Sequence, residues 1–484
     1  MAARGLETMS PKIAIVVGGV SSSTVRVLLV TRGLGGQPPR LFARRPAEAE
    51  GMSTPIAPRE LCPGPDIAPA LRARDVGVFD ACVPLPHALM LDACDPHRRL
   101  WRSTGTLRPL PASLPSAGRD GITVLLASCT YRWPPYFRSI AAHLDRFPVL
   151  GQVPSFALYV GDNVYLDVPP PRLQDAAAVV DRYLDYYLDD GYAALRAQLP
   201  SFATFDDHEL WNDFPERSVP FSCGSPKTRR PTSHERHDNV SICFSARSIP
   251  PRFPAPSMPS ASTCRPLSSF VVDTRTDRGA ADAPSGRLMP EADLAALEAG
   301  ARTLEGPGVL VIGQPLWIEP VSHAGPFRGD HNVSHFAAHY ARICDALERA
   351  PFDVLVLRGD VHYSRLLRIH TRTRRVVHEV TASTLVSIPS LLGSIGHAVG
   401  LGAGEPQHSH DLEDTTRPPR AGWSAAYRMG TGCGTCYGLV HFRAAATHRR
   451  LPRRPDPCSR RRRILSGTRC VSPCGDGWQP GAPS

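Results

Sequence analysis

Residues 12–31, KIAIVVGGVSSSTVRVLLVT, are two apolar runs around a Gly/Ser turn, which predicts a pair of β-strands. From 32 to 118 the chain is rich in Pro and Arg with short apolar pieces, read as a small β domain or a strand-poor lead-in. The pattern then changes. GITVLLASC (121–129) is a short β-branched run entered through Gly, as a buried strand is. IAAHLDRF suits a helix, and SFALYVGD a second strand ending in Gly-Asp. Residues 171–199 have helical periodicity with a break expected at Gly191, and SFATF follows as a third strand. SSFVVDTRTDR (268–278) has strand composition. GVLVIGQPL and FDVLVLRGD are two more strands, with the helix HFAAHYARICDALERA between them, and YGLVHF is a late strand. Strands alternating with helices predict an α/β architecture.

The pattern fails in two places. Residues 217–268 hold nine Pro and eleven Ser in 52 positions without periodicity. Residues 444–484 are an Arg/Pro/Cys mixture. Both read as disordered segments or as the product of a shifted reading frame. The division expected is a β lead-in over 12–118, a catalytic domain over 119–443 containing the insertion 217–268, and a tail over 444–484.

Composition changes this picture little. The formal charge is +10, but residues 443–484 contain ten Arg and two Asp, a contribution of +8 that leaves +2 for the rest. Basicity therefore belongs to the tail, and nucleic-acid binding is expected through that tail or not at all. Thirteen cysteines, an odd number without a compact framework, favour a reducing compartment. No run of about eighteen apolar residues predicts a membrane span, and no export signal is visible, so the reading leans to the cytoplasm.

Candidate chemistry gathers where strands end, the place where open α/β sheets bind ligands. Cys129 closes one strand, Gly161-Asp162 the next, Asp206-Asp207-His208 a third and Gly359-Asp360-Val361-His362 a fourth. Two cations about 3.5–4 Å apart supply an activated water and a clamp for oxygen charge in phosphate-ester hydrolysis. Carboxylates suit hard cations, imidazole suits zinc or iron, and a thiolate softens one position. Asp162 is the natural bridging carboxylate, since Gly161 lets the backbone turn close to the ions.

ASCTY (127–131), GDNVYLD (161–167), FDDHELWND (205–213), VVDTRTDR (271–278) and RGDVHYS (358–364) occur in this order, with GQPLW (313–317) a looser addition. Together they resemble the PhoD-like (alkaline phosphatase D type) branch of the metallophosphatases, over about 121–400. The resemblance implies a four-layered core of stacked sheets flanked by helices, preceded by a small β domain. It implies a phosphatase or phosphodiesterase acting on a phosphate-ester substrate by in-line attack of activated water. It also implies a ferric ion (Fe3+) held partly by Cys129 and Tyr131 and completed by His362. Asp162 would be shared with a second ion, often calcium (Ca2+), served by Asp207 and Asp360 with Asn212 nearby. His208 would face the phosphate, with Asp207 beside it, and Asp206 or Glu209 would orient the imidazole. The same resemblance expects folded helix after Pro215, where this chain has its Pro/Ser-rich stretch.

Other features have simpler readings. Tyr165 is read as packing, and Asp273 with Arg275 as a structural ion pair. His331, His335 and His339 share one helix face, but no HExxH glutamate accompanies them. CGTC (433–436) has redox spacing without a second pair, and RRRR (460–463) is read as solvated tail. An inactive homologue acting through its basic tail, or a zinc hydrolase on the histidine face, are the alternative functions.

Overall fold

The first apolar run becomes β1 (Lys12–Val20), and its partner β2 (Thr24–Arg32) follows the turn. Ser21 closes that turn: its hydroxyl accepts the N–H groups of Ser23 (3.1 Å) and Thr24 (3.0 Å). The computed structural model describes residues 11–48, 53–61, 68–114, 121–132, 134–144, 153–166, 176–209, 267–279, 286–317, 333, 336–360, 364–382, 384–386, 413–414, 424–430, 437–442 and 467–471.

The lead-in is a β-sandwich. Its further elements are β3 (Arg40–Arg44), β4 (Thr54–Ile56), β5 (Arg59–Glu60), α1 (Ala68–Arg72), β6 (Val76–Pro84), β7 (Met90–Cys94) and β8 (Trp101–Ser103). Two four-stranded sheets form, in the orders β1-β2-β6-β5 and β4-β3-β7-β8. Alternate residues of β1 serve different cores. Ile13, Ile15 and Val17 pack between the two sheets, while Ala14 and Val16 pack toward the helices of the next layer. A strand covered on both faces needs a continuous apolar run rather than alternation, and KIAIVVGGV is one.

The next elements are β9 (Ile122–Thr130), α2 (Pro134–Leu144), β10 (Phe156–Val160), α3 (Ala176–Tyr187), α4 (Asp190–Gln198) and β11 (Ser201–Thr204). The break between α3 and α4 falls earlier than expected. Asp189 caps α4 by accepting the N–H groups of Gly191 and Tyr192, both at 3.0 Å, so Gly191 sits inside the helix rather than ending one. Then come β12 (Ser268–Val272), α5 (Glu291–Arg302), β13 (Gly308–Ile312), α6 (Ala337–Arg349) and β14 (Val354–Arg358). The last strands are β15 (Ser364–His370), β16 (Val376–Thr381), β17 (Thr384–Val386), β18 (Glu413–Asp414), β19 (Ser424–Gly430), β20 (Tyr437–Phe442) and β21 (Gly467–Val471).

Two larger sheets stack face to face. One runs β11-β10-β9-β20-β21, with β17 also on β9; the other runs β12-β13-β14-β16-β15-β19-β18. β9, β10 and β11 are mutually parallel, as are β12, β13, β14 and β16. Strand parity builds the layers. Val124, Leu126, Leu158 and Val160 meet Val309, Val311, Leu355 and Leu357 between the sheets. On the outer faces Leu125, Ala127 and Tyr159 pack on α2–α4, while Leu310, Ile312 and Val356 pack on α5 and α6. Each such Val or Leu contributes about 1.5–3 kcal/mol by burial. The result is a helix–sheet–sheet–helix core with the sandwich laid on one helical layer.

The edges of the two patternless segments are sharper than the pattern suggests. Ser268 opens β12, as the strand reading of 268–278 has it, and Leu267, counted in the insertion, is buried at its entry. The tail is not featureless, because β21 pairs antiparallel with β20 at the edge of the first large sheet. The remainder of 217–268 and of 444–484 lies outside the described residues, as do CGTC and RRRR. Among the described residues no helix is long and apolar enough to cross a membrane.

Candidate metal centre

The parallel strands point their carboxyl ends to one place. Near the carboxyl end of β9 the backbone is left-handed at Cys129 (φ +53°), and beyond β10 and β14 it is so at Asp162 (φ +54°) and Asp360 (φ +69°). A left-handed backbone is rare outside glycine. Asn and Asp tolerate it better than most, and it costs on the order of 1–3 kcal/mol per residue. Three such residues on neighbouring strand ends are held there by their surroundings. The Cys129 N–H donates to the Gly161 carbonyl (3.2 Å) and the Thr130 N–H to the Asp162 carbonyl (2.7 Å). The Cys129 thiol donates to the Asp360 carbonyl (3.3 Å).

Glycines make this approach possible. A Cβ on Gly359 would meet the Val160 carbonyl oxygen at 2.2 Å and Ser128 Cβ at 2.3 Å. Gly161 has φ +90°, and a Cβ there would lie 2.6 Å from Asp206 Cβ. Its small size therefore makes room for Asp206, a neighbour the sequence did not reveal.

Beyond β11 a single 3-10 turn carries Asp207, His208 and Glu209. Donor atoms of Asp162, Asp207 and His208 lie within 4.8 Å of one another, as do those of Asp206, Asp207 and Asp360. Asp207 belongs to both triads. These are oxygen-rich donor sets of the kind hard cations take, and the crowding of carboxylates in a buried place is the condition a cation relieves. The site residues read from the sequence thus divide. Asp162, Asp207, His208 and Asp360 are brought together. Cys129 is adjacent to Asp360 through the thiol bond but belongs to neither triad. Tyr131 sets its ring edge against Tyr165, with centroids 5.7 Å apart and planes at 80°. Asn212 and His362 lie outside the described residues.

Tyr165 packs, as its sequence reading holds. It is fully buried and stacks on the His208 ring at 4.1 Å and 30°, and its hydroxyl reaches Asp162 Oδ2 at 3.5 Å. The His208 backbone N–H donates to Asp162 Oδ1 (3.3 Å).

Burial pushes the Cys129 thiol well above its ordinary pKa, and the neighbouring Asp162 and Asp360 push it further. Burial likewise raises Asp162, opposed by His208 and reinforced by Asp207, Asp206 and Glu209. Tyr165 is raised for the same reason. Glu209 is raised to about 8 by burial, against backbone N–H donors that favour its charge.

The partners expected to orient His208 have other bonds. Glu209 receives backbone N–H groups of the Asp162 loop, and Asp206 receives the Arg275 guanidinium. Arg275 and Asp206 are both fully buried, and the Arg275 Nη2 lies 3.9 Å from Asp207 Oδ1. The expected Asp273–Arg275 ion pair is thereby corrected. Asp273 Oδ1 accepts the backbone N–H groups of Arg275 (2.8 Å) and Thr276 (3.0 Å), a local turn, and the guanidinium goes elsewhere.

Two further charged residues escaped the sequence reading. Arg278 bonds Gln314, which ties the VVDTRTDR and GQPLW stretches together. Glu379, inside β16, forms an ion pair with Arg358 (3.1 Å) and accepts hydrogen bonds from Arg365 (2.5 Å) and the Leu316 N–H (3.1 Å). The available signal was a lone charge in an apolar strand, which demands a buried partner. Of the three histidines on one face, His339 is buried in α6, and His331 and His335 lie outside the described residues.

No known family profile matches the chain, and no curated protein matches it in sequence. In fold it is similar to the solved structure of PhoD, at 16% identity and a TM-score of 0.52, over 95% of this chain and 91% of that one. At that identity the likeness establishes the fold, including its stacked-sheet core. A cyclomaltodextrinase is also found, at 10% identity and a TM-score of 0.16, over 72% of this chain and 60% of that one; it carries no argument.

Proposed function

We propose that this chain is a metal-dependent phosphoric-ester hydrolase with a dinuclear site between the ends of β9, β10, β11 and β14. The observation that carries the reading is the pair of overlapping donor triads that share Asp207. Asp162, Asp207 and Asp360 would hold the cations, with Cys129, Tyr131, Asn212 and His362 as further ligands by resemblance. Iron with calcium is the pair the resemblance favours. Bound there, such cations would supply an activated water and neutralise charge on the phosphoryl oxygens.

The chain's own residues do the rest. His208 is fixed on one face by the Tyr165 ring, and its backbone N–H is tied to Asp162. An imidazole held in that way can steady the phosphoryl oxygens or give its proton to the leaving oxygen. The left-handed turn at Asp162 presents its carboxylate beyond the strand end.

The test is substitution of Asp162 with a residue that tolerates its backbone. Asp162→Asn keeps the left-handed turn and removes the charge. Hydrolysis of p-nitrophenyl phosphate and bis(p-nitrophenyl) phosphate is expected to vanish with the far-UV circular dichroism unchanged. Elemental analysis of the purified wild type is expected to find bound iron and calcium. Wild-type rates in Asp162→Asn overturn the reading. So does a wild type free of metal, and zinc alone points instead to the histidine face.

A further inference from the structure

Glu209 is fully buried, and among the described residues the hydrogen bonds it accepts come from the backbone of two loops. Oε2 accepts the N–H of Asp162 (3.0 Å) and the N–H of Asp206 (2.9 Å). Oε1 accepts the N–H of Asn163 and the N–H of Val164 (3.3 Å). A carboxylate has about four lone-pair sites, so four donors saturate it, and Glu209 has no site left for a cation. Neither donor triad contains it. One loop follows β10 and carries Asp162; the other follows β11 and carries Asp206, Asp207 and His208. Other bonds run beside this joint: from the Leu166 N–H to the His208 carbonyl (2.9 Å), from the His208 N–H to Asp162 Oδ1 (3.3 Å), and from the Gly161 N–H (3.2 Å) and Asn163 Nδ2 (3.1 Å) to the Thr204 carbonyl.

We propose that Glu209 is a positioning residue that fixes the spacing between the Asp162 loop and the Asp207–His208 turn, so that the first donor triad is assembled before any metal arrives. The inference rests on the dinuclear reading above and adds a residue that acts through others. The backbone N–H donors favour the charged form of Glu209 against its burial, and in that form each such bond is about twice as strong as a neutral one. One side chain with donors from both loops therefore sets their separation more firmly than any single one of these other bonds does. A capping group that only stabilised the fold would leave metal affinity in the folded protein untouched, whereas a spacer sets that affinity directly.

The experiment uses the full chain, metal-free, as wild type and as Glu209→Gln. The amide keeps the shape but turns an acceptor into a donor facing two N–H groups. Mn2+ titrated calorimetrically is expected to bind Glu209→Gln about 10–100-fold more weakly, the usual effect of losing a group that orients ligands. Amide hydrogen exchange of the metal-free wild type, read on peptides covering 157–166 and 202–209, is expected to show both segments protected before Mn2+ is added. Glu209→Gln is expected to lose that protection while β9 and β13 keep theirs. Unchanged Mn2+ affinity in Glu209→Gln overturns the proposal, and so does a wild type whose two segments become protected only after Mn2+ binds. If Glu209→Gln does not fold, the wild-type exchange alone decides. A wild type that takes up no Mn2+ refutes the dinuclear reading, and its exchange pattern still decides whether Glu209 joins the loops.

Discussion

Arg275 forms a fully buried ion pair with Asp206, itself a member of the second donor triad, and its Nη2 lies 3.9 Å from Asp207 Oδ1. Removing one partner of such a pair leaves an uncompensated buried charge, which costs about 3–5 kcal/mol. Arg275→Met is therefore expected to lower the urea unfolding free energy by about that amount. The double variant Arg275→Met/Asp206→Leu is expected to recover much of the loss, because it leaves no lone charge. Equal losses in the two variants contradict the pairing. At this scale the sequence was readable where chemistry follows position along the chain. Cys129, Asp162, Asp207 and Asp360 each close an apolar run, and that was enough to nominate them. It was not readable where partners come from other strands. Asp273 lies two residues from Arg275 and looked like its partner, yet Asp273 is engaged by its own turn and the guanidinium crosses to β11. Nor does a sequence announce that Cys129, Asp162 and Asp360 adopt left-handed backbones, since that is imposed by the packing of strand ends.

Between elements, the contact that matters most for the site is the meeting of β9, β10 and β14 at their ends. Gly359 sits at this crossing with no room for a side chain, its virtual Cβ 2.2 Å from a carbonyl oxygen and 2.3 Å from Ser128 Cβ. Gly438, inside β20, has Leu126 Cβ at 3.5 Å as its nearest neighbour, an ordinary contact. Gly359→Ala is thus expected to destabilise by about 1–3 kcal/mol, as forced overpacking does. Gly438→Ala is expected to be neutral or slightly stabilising through loss of chain entropy in the unfolded state. Thermal unfolding midpoints of the two variants check the contrast, and equal effects contradict it. The strands themselves were legible because both large sheets are covered on both faces, which writes apolar runs into the sequence. The helix boundary at Asp189 was not, because Gly191, the second residue of α4, resembles a terminator until its capping neighbour is seen. β21 was missed for a different reason. GTRCV has no apolar periodicity, and its place in the sheet comes from pairing with β20 rather than from its own composition.

At the scale of the whole molecule, the β-sandwich that precedes the stacked-sheet layers is bound into them. Ala14, Val16, Leu28, Val30 and Val78 share one core with Leu125, Tyr159 and the tyrosines of α3 and α4. Lys12 Nζ donates to the Leu188 carbonyl (3.0 Å), Ser201 Oγ donates to the Val17 carbonyl (2.8 Å), and Arg74 pairs with Asp181. The inner sheet of the sandwich thus has an apolar face on each side, and only one of them is covered by its own second sheet. Unfolding the stacked-sheet layers would strip the other face and leave those valines in water, at about 25 cal/mol for each Å2 exposed. The sandwich is therefore expected to melt together with the stacked-sheet core, as one cooperative unit. Differential scanning calorimetry of the full chain is expected to give one transition whose calorimetric and van't Hoff enthalpies agree. Two resolved transitions contradict the coupling. A chain beginning at residue 119 carries the complementary exposure, the apolar face of α3 and α4 that β1 and β2 cover. It is expected to bind a hydrophobic dye strongly and to unfold at a lower urea concentration than the full chain. Because Asp162, Asp207 and His208 follow the strands on which α3 and α4 pack, the sandwich supports the donor cluster from behind although none of its described residues belongs to either triad.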